Sequence, residues 1–478
     1  MAHSPQAYPY KTETGRPWLA LAARHAESFL DALAERKVAP SASFQELRES
    51  LGGPLPDAGL APEAVIERLA TRAEPGLVGS AGPRYFGFVI GGSLPAAVAA
   101  DWLTSAWDQN GGLNATSPAV AAAEDVVAGW LKELLGLPTG ASVGFVTGCQ
   151  MANFAGLAAG RHAVLESAGW NVEEEGLQGA PAVNVVVGEE AHATVFAALR
   201  MLGLGSRRTK RVAVDGQGRM RPDALAETLR SCPGPTLVAA QVGNVTTGAI
   251  DPVGEIAEIA HRHGAWLHVD GAFGLWAAAA PRLRGEVRGI EKADSWATDA
   301  HKWLNVPYDS GIAIVAQPAA QRAAFLKRAA YFIPALSAER DPHDYTPESS
   351  RRGRVFPLYA ALLSLGRRGV AELVERNCAL ALLIATRLRE GGVRVLNDVV
   401  LNQVLVRFEP PRGGDADAFT RAVVQSIQRE GTLWASGTRW RDQEALRISV
   451  SNWSTSDADA DRSAEAILGA FRREAEAR

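Results

Sequence analysis

From about residue 94 the chain alternates short, almost wholly apolar runs with longer amphipathic ones, and this alternation limits the possible folds more than any other feature. The apolar runs are "SVGFVTG", "AVNVVVGEE", "PTLVAAQVGNV", "AWLHVDGA" and "GIAIVAQ". Between them lie the helical patterns "QMANFAGLAAGRHAVL", "AHATVFAALRMLG" and "DPVGEIAEIAHRHG". A strand that is apolar on both faces needs both faces covered, which crossover helices between parallel strands provide. The expected fold is therefore α/β, a mostly parallel central sheet with helices on both faces.

This character fails at both ends. Residues 1–92 carry amphipathic runs at 18–36 and 62–73 but no convincing strand, and read as a helical segment. The large α/β domain is expected over 93–366. Beyond it, 367–478 hold the long helical run "GVAELVERNCALALLIATRLREGG", strands at "VRVLNDVVLNQVLVRFE", "GTLWASG" and "ALRISVSNW", and a helix after "STSDADADRSAEAIL". That is a smaller α+β domain.

Composition removes several classes of function. The 478 residues carry a net charge of −4, so no basic excess suggests nucleic acid or an anionic membrane. No apolar run reaches the about 18 residues of a membrane span, and "MAHSPQAYPYKTETGRPW" lacks the apolar core of a secretory signal. Three cysteines cannot form a disulfide framework, and no clustered Cys/His set suggests a metal. The expectation is a soluble, cytoplasmic protein.

Candidate chemistry gathers at the C-terminal ends of the expected strands, where open α/β sheets bind ligands. "FVTGCQMANF" is strand, glycine turn and helix; the helix start with Thr147, Gly148, Cys149 and Gln150 is either an ordinary turn or a phosphate cradle. Asp270 ends the strand of "HVDGA", and a buried acid there needs a cationic or hydrogen-bonding partner. It is either a structural cap or the partner of a protonated ring nitrogen. His192 opens a helix after a strand, as a backbone-satisfied starter or as a flat ring stacked on a planar ligand. In "DAHKWLNVPYDSG", Lys302 is either a surface lysine packed along Trp303 or an amine nucleophile in a partly apolar pocket. A phosphate cradle, an acid for a ring nitrogen, a stacking imidazole and an amine together describe the binding of pyridoxal 5′-phosphate.

The chain resembles the group II pyridoxal-phosphate-dependent decarboxylases, the aromatic-amino-acid and glutamate decarboxylase family of fold type I. The resemblance runs from "PRYFGFVIGGSLPAAVAADWLTSAWDQN" through "TGCQMANF", "EEAHATV", "GAWLHVDGAFG" and "DAHKWLNVPYDSG" to "LRISVSNWST". It implies that Lys302 is the Schiff-base lysine, Asp270 the pyridinium partner, His192 the stacked ring and Ala272 the small residue on the opposite ring face. Cys149 and Gln150 then fall where phosphate binds, and His301 beside the cofactor. Two positions depart from the family pattern. Asp299 stands where an asparagine usually binds phosphate, and its charge would repel that group unless it is protonated or turned away. Val245 stands where a threonine often meets the cofactor, with Asn244 or Thr246 as substitutes.

The resemblance also implies the reaction: decarboxylation of an L-amino acid to an amine and CO2 in a homodimer with active sites at the interface. An aldehyde synthase, an aminotransferase or another carbon–carbon lyase are alternatives on the same scaffold. The resemblance implies a proton donor on a mobile lid reaching over from the other subunit; the corresponding stretch is "FIPALSAERDPHDYTPESSRRGR" (332–354), with Tyr345 and His343 as rival candidates. Phe88, Val89 and Ile90 fall where the substrate side chain is held and suggest an apolar pocket, with Gly91 and Gly92 leaving it roomy. Arg447 is read either as structural or as a carboxylate-binding arginine.

Overall fold

The computed structural model describes residues 15–327 and 340–477. Its central sheet contains β1 (Ser142–Val146), β2 (Asn184–Gly188), β3 (Lys210–Val212), β4 (Thr236–Gln241), β5 (Trp266–Asp270), β6 (Ser295–Asp299) and β7 (Gly311–Val315), in the order β1-β7-β6-β5-β4-β2-β3. The pairings among β2 to β6 are parallel, and only β7 runs against its neighbours β6 and β1. Side chains alternate between two cores along every strand. Leu267, Val269, Trp296, Ile312 and Ile314 enter one face, while Leu237, Trp266, Ala297 and Ala313 enter the other.

The helix Cys149–Glu166 lies on that second face. Its small residues allow a close approach: a Cβ on Gly156 would collide with the His268 ring, and one on Gly160 with Trp266. The continuous small-residue pattern of "QMANFAGLAAG" thus brings a helix down onto β5 and β6. Polar residues of those strands, at 268, 270, 295 and 299, are buried under it.

The long helix Val355–Glu390 is interrupted at Gly366, which adopts φ 60°. A left-handed φ suits glycine. Beyond it, β8 (Arg394–Val395), β9 (Gln403–Arg407), β10 (Ser436–Trp440) and β11 (Gln443–Ser449) form an antiparallel sheet in the order β10-β11-β9-β8. Phe408, Phe419, Ile448 and Ile467 belong to its own core. The strand expected at "GTLWASG" begins only at Ser436. Upstream, the backbone of Trp434 is engaged by the N-terminal segment: its N–H donates to the Arg84 carbonyl (3.1 Å) and its carbonyl accepts from Phe86 (2.7 Å).

The helices Pro17–Ala32, Phe44–Leu51 and Pro62–Ala73 bury none of their residues. Leu19, Phe44, Leu51, Val65 and Leu69 stand exposed on them. Among the described residues no helix is long and apolar enough to cross a membrane.

Candidate active site

Two buried aspartates end adjacent parallel strands. Asp270 closes β5 and Asp299 closes β6, 4% and 2% exposed. Around Asp270 every donor is neutral. Oδ1 accepts from the Ala272 N–H (3.2 Å) and the Cys149 thiol (3.4 Å), and Oδ2 from Asn153 Nδ2 (3.1 Å). Burial, and then Asp270 itself, push the Cys149 thiol well above its ordinary range, so it remains a protonated donor. No cation pairs with Asp270 within ion-pair distance among the described residues.

Asp299 has the opposite surroundings. Its Oδ2 meets Lys302 Nζ at 2.9 Å, and its Oδ1 accepts from the Cys149 N–H at 2.5 Å and lies 3.4 Å from His301 Nε2. Burial opposes the charge on Lys302, but the Asp299 carboxylate outweighs it and holds the amine above the ordinary lysine range. A buried ammonium without such a partner would instead lose its proton.

The loop carrying Lys302 is fixed by Asn305, fully buried in the left-handed region at φ 58°, a conformation that asparagine adopts more readily than most residues. Its amide donates to the Trp303 and Ser451 carbonyls (2.7 and 2.9 Å) and accepts from the Gly92 and Trp453 N–H groups (2.5 and 3.0 Å). One side chain thereby joins the lysine loop, segment 85–92 and the small domain. His301 accepts the Ser310 N–H on Nδ1 (3.1 Å), which leaves Nε2 protonated toward Asp299. Tyr308 tilts over His301 with ring centroids 4.3 Å apart, and burial pushes its phenol up to about 12. It stands at the mouth of the site beside Lys302, and the sequence reading passed over it.

His192 is the N-cap of the helix Ala193–Met201. Its Nδ1 accepts from the Thr194 N–H (3.3 Å) and lies 2.8 Å from the Thr194 hydroxyl. Burial lowers its pKa, and the charges of Lys302 and Arg447 lower it further. Arg447, on β11, is 8% exposed, and among the described residues no carboxylate pairs with it. It makes a long contact to Ser436 Oγ (3.5 Å), and its Nε has no partner among the described residues. The small domain thus turns an uncompensated cation toward His192.

A family model described as "Pyridoxal-dependent decarboxylase conserved domain" matches residues 45–408. The chain belongs to this family. It is 25% identical to "Tryptophan decarboxylase 1" of Oryza sativa subsp. japonica, over 92% of this chain and 90% of that one. It is 28% identical to "Acidic amino acid decarboxylase GADL1" of Bos taurus, over 69% of this chain and 64% of that one. The fold matches the crystal structure of Oryza sativa TDC with PLP and tryptamine at a TM-score of 0.90, with 23% identity over 98% and 99% of the two chains. This protein is a pyridoxal-phosphate-dependent amino-acid decarboxylase.

The decarboxylase's residues fit that cofactor. A buried carboxylate that accepts only from neutral donors would suit a protonated pyridine nitrogen as its cationic partner. At the other end, a Cβ on Gly148 would press on His301 and Asp299, at 3.1 and 3.4 Å. The bare glycine lets the helix start approach His301 and Asp299 closely. The Cys149 N–H, expected in the phosphate cradle, is instead held by Asp299, with Thr147 half-buried and Gln150 exposed beside it. Ala272 is half-buried next to Asp270. Asn244 is turned into its own loop, its Oδ1 accepting the Thr246 and Thr247 N–H groups (2.8 and 3.1 Å), while Thr246 is buried beside it.

Three expectations are corrected. The stretch 332–354 is not mobile throughout: 332–339 lie outside the described residues, but 340–354 are packed. His343 is buried, its N–H on the Gly112 carbonyl (2.9 Å). Tyr345 lies under the Arg340 guanidinium, and its carbonyl accepts from Gln321 (2.9 Å). Neither is brought into the Lys302 cluster of its own chain. Many charges that made this stretch look solvated are neutralised or hydrogen-bonded inside it. Arg351 pairs with the fully buried Glu124 (2.6 Å) and donates to the Phe145 carbonyl (2.6 Å). Val89 is no pocket residue, because at 1% exposure it belongs to the main core. Phe88 projects outward beside Trp434, and Ile90 is half-buried. Nor do Gly91 and Gly92 leave space, since a Cβ on Gly91 would strike the Lys302 carbonyl and one on Gly92 the Asn452 amide. These glycines allow segment 85–92 to touch the lysine loop.

Proposed function

We propose that this decarboxylase acts on an L-amino acid with an apolar or aromatic side chain and releases CO2 and the corresponding amine. The observation that carries the reading is the pair of buried aspartates, one holding an amine and the other surrounded only by neutral donors. Lys302 is the attachment point for the cofactor, and Asp299 the group that takes and returns the lysine's proton. Asp270 keeps a positive charge on the ring nitrogen, and His192, uncharged, stacks on the ring. When bound, pyridoxal phosphate supplies the sink for the electrons released at the substrate's Cα. Tyr308 offers aromatic surface to the substrate side chain.

Arg447 supports a second reading, an acidic side chain. A buried, unpaired guanidinium is a poor neighbour for an apolar group and a good one for a carboxylate. Incubation with a panel of aromatic, aliphatic and acidic L-amino acids, with CO2, amine, aldehyde and ammonia measured separately, decides among the readings. Amine and CO2 in equal amounts from aromatic substrates support the first. Turnover confined to acidic substrates supports the second, and aldehyde with ammonia points to an aldehyde synthase.

The protein is further proposed to work as a homodimer. The three N-terminal helices bury nothing within the chain, and an apolar groove of about 740 Å³ runs between Leu30, Val98, Trp102 and Trp453. Exposed apolar surface of this kind marks an interaction face, and two-fold dimers are the commonest assembly. Light scattering tests this, and an active monomer at assay concentration contradicts it.

A further inference from the structure

Behind Asp270 runs a line of buried polar side chains for which the proposed function has no use. The Trp266 indole Nε1–H donates to Ser295 Oγ (2.9 Å). Ser295 Oγ lies 2.8 Å from His268 Nδ1, His268 Nε2 lies 2.9 Å from Asn153 Oδ1, and Asn153 Nδ2 donates to Asp270 Oδ2 (3.1 Å). Every member is buried.

The two ends fix every proton between them. An indole N–H can only donate and a carboxylate can only accept. Asn153 must therefore present its NH2 to Asp270 and its oxygen to His268, so the His268 proton resides on Nε2. His268 Nδ1 then accepts, and the Ser295 hydroxyl, 2.8 Å from it but 3.5 Å from the Gly156 carbonyl, supplies that proton. The direction of donation is the same at each step, toward Asp270, and such chains polarise one another. Burial, which pushes His268 down to about 4, keeps the ring neutral as this pattern demands. Asn153 Nδ2 also reaches Thr194 Oγ1 (3.4 Å), which meets His192 Nδ1.

We infer that Asn153, backed by His268 and Ser295, is a positioning residue that holds the Asp270 carboxylate oriented toward the cofactor's ring nitrogen and ties it to His192. The inference rests on the proposed placement of Asp270 against that nitrogen. It reaches the chemistry only through Asp270, so its signature must depend on the nitrogen itself.

The test is reloading of the apo-protein, followed by absorbance, with pyridoxal phosphate and with its 1-deaza analogue, which has carbon in place of the ring nitrogen. Asn153→Leu should weaken pyridoxal phosphate about tenfold, the scale of one hydrogen bond to a charged group, and the analogue by less than about twofold on that same scale. Ser295→Ala, which removes only a hydroxyl and serves if Asn153→Leu does not fold, should weaken pyridoxal phosphate about threefold, the scale of a neutral hydrogen bond, again sparing the analogue. Equal losses for the two cofactors would mean a merely structural role and overturn the inference, as would no loss for either. A wild-type protein that binds both cofactors equally well removes Asp270 from the ring nitrogen, and the relay's role with it. No binding of pyridoxal phosphate at all would instead defeat the proposed function.

Discussion

Asp270 and Asp299 end neighbouring strands of one sheet, are buried to the same degree, and have opposite partners. Asp299 neutralises an ammonium at 2.9 Å and caps the Cys149 N–H. Asp270 receives a thiol, an amide and a backbone N–H, none of them charged. The same side chain in the same topological position is thus built for two tasks. One holds the ammonium of a lysine, and the other, among the described residues, accepts only from neutral donors. Burial raises the stakes of both, because an uncompensated charge in a low dielectric is expensive.

The largest expected effect comes from erasing the Asp270 side of this contrast. Asp270→Asn should bind cofactor at least about tenfold more weakly and, once saturated with it, lose at least about a thousandfold in kcat, the scale of removing a strong preorganised electrostatic stabiliser. Near-normal turnover, measured with occupancy checked by absorbance, would put the two aspartates on equal footing.

Asp299→Asn breaks the other side. Without the carboxylate, burial, the largest influence on Lys302, is opposed only by the weaker pull of Cys149 and Asp270, and the pKa of the amine falls. The pH midpoint for cofactor capture by apo-protein should then move down by about one unit or more, equivalent to about 1.4 kcal/mol or more of lost ion pairing. Stopped-flow absorbance across pH reads this directly, and an unmoved midpoint would show that Asp299 does not set the lysine's charge.

His268 makes the neutral-donor side acid-sensitive in a defined sense. The folded ring titrates at about 4, below the ordinary value near 6.5. The unfolded chain therefore binds the extra proton between those limits, and folded stability falls as pH drops through that window. Asp251, pushed up to about 6 by burial, acts in the opposite sense over an overlapping range but is shared by wild type and variant. The stability lost in His268→Gln should accordingly be smaller at pH 5 than at pH 7 by about 2 kcal/mol, as measured by urea unfolding. A constant difference would mean that the His268 ring titrates in the fold as it does in the unfolded chain.

The smallest effect concerns Arg447. Arg447→Gln should raise KM about tenfold for acidic substrates, the worth of one charge-assisted pair, and leave aromatic substrates unchanged. A loss shared by both classes would make the arginine structural.

Much of this arrangement could be read in the sequence because it follows from local chemistry. Apolar runs gave the sheet, and an acid or glycine closing each run marked the ligand edge. Lys302 was conspicuous as a charge amid apolar neighbours. The relay was not legible, since His268 sits within the apolar "WLHVD" and its partners come from a helix 115 residues away and from the next strand, 27 residues on. Asn305 was hidden for the same reason: its bonds reach Gly92 and Ser451, at sequence separations of 213 and 146. The lid was misread because charge and proline look alike in a free loop and in one whose guanidinium groups are bonded to buried carbonyls. Segment 85–92 was misread because glycine can mean either space or contact.

The central assignment is most directly tested by treating the holo-protein with borohydride, digesting it and locating the reduced pyridoxyl group by mass spectrometry. The group is expected on the peptide that contains Lys302, with loss of the visible absorbance band. Finding it on Lys327 or any other lysine, or finding none while the band disappears, would contradict the role given to Lys302.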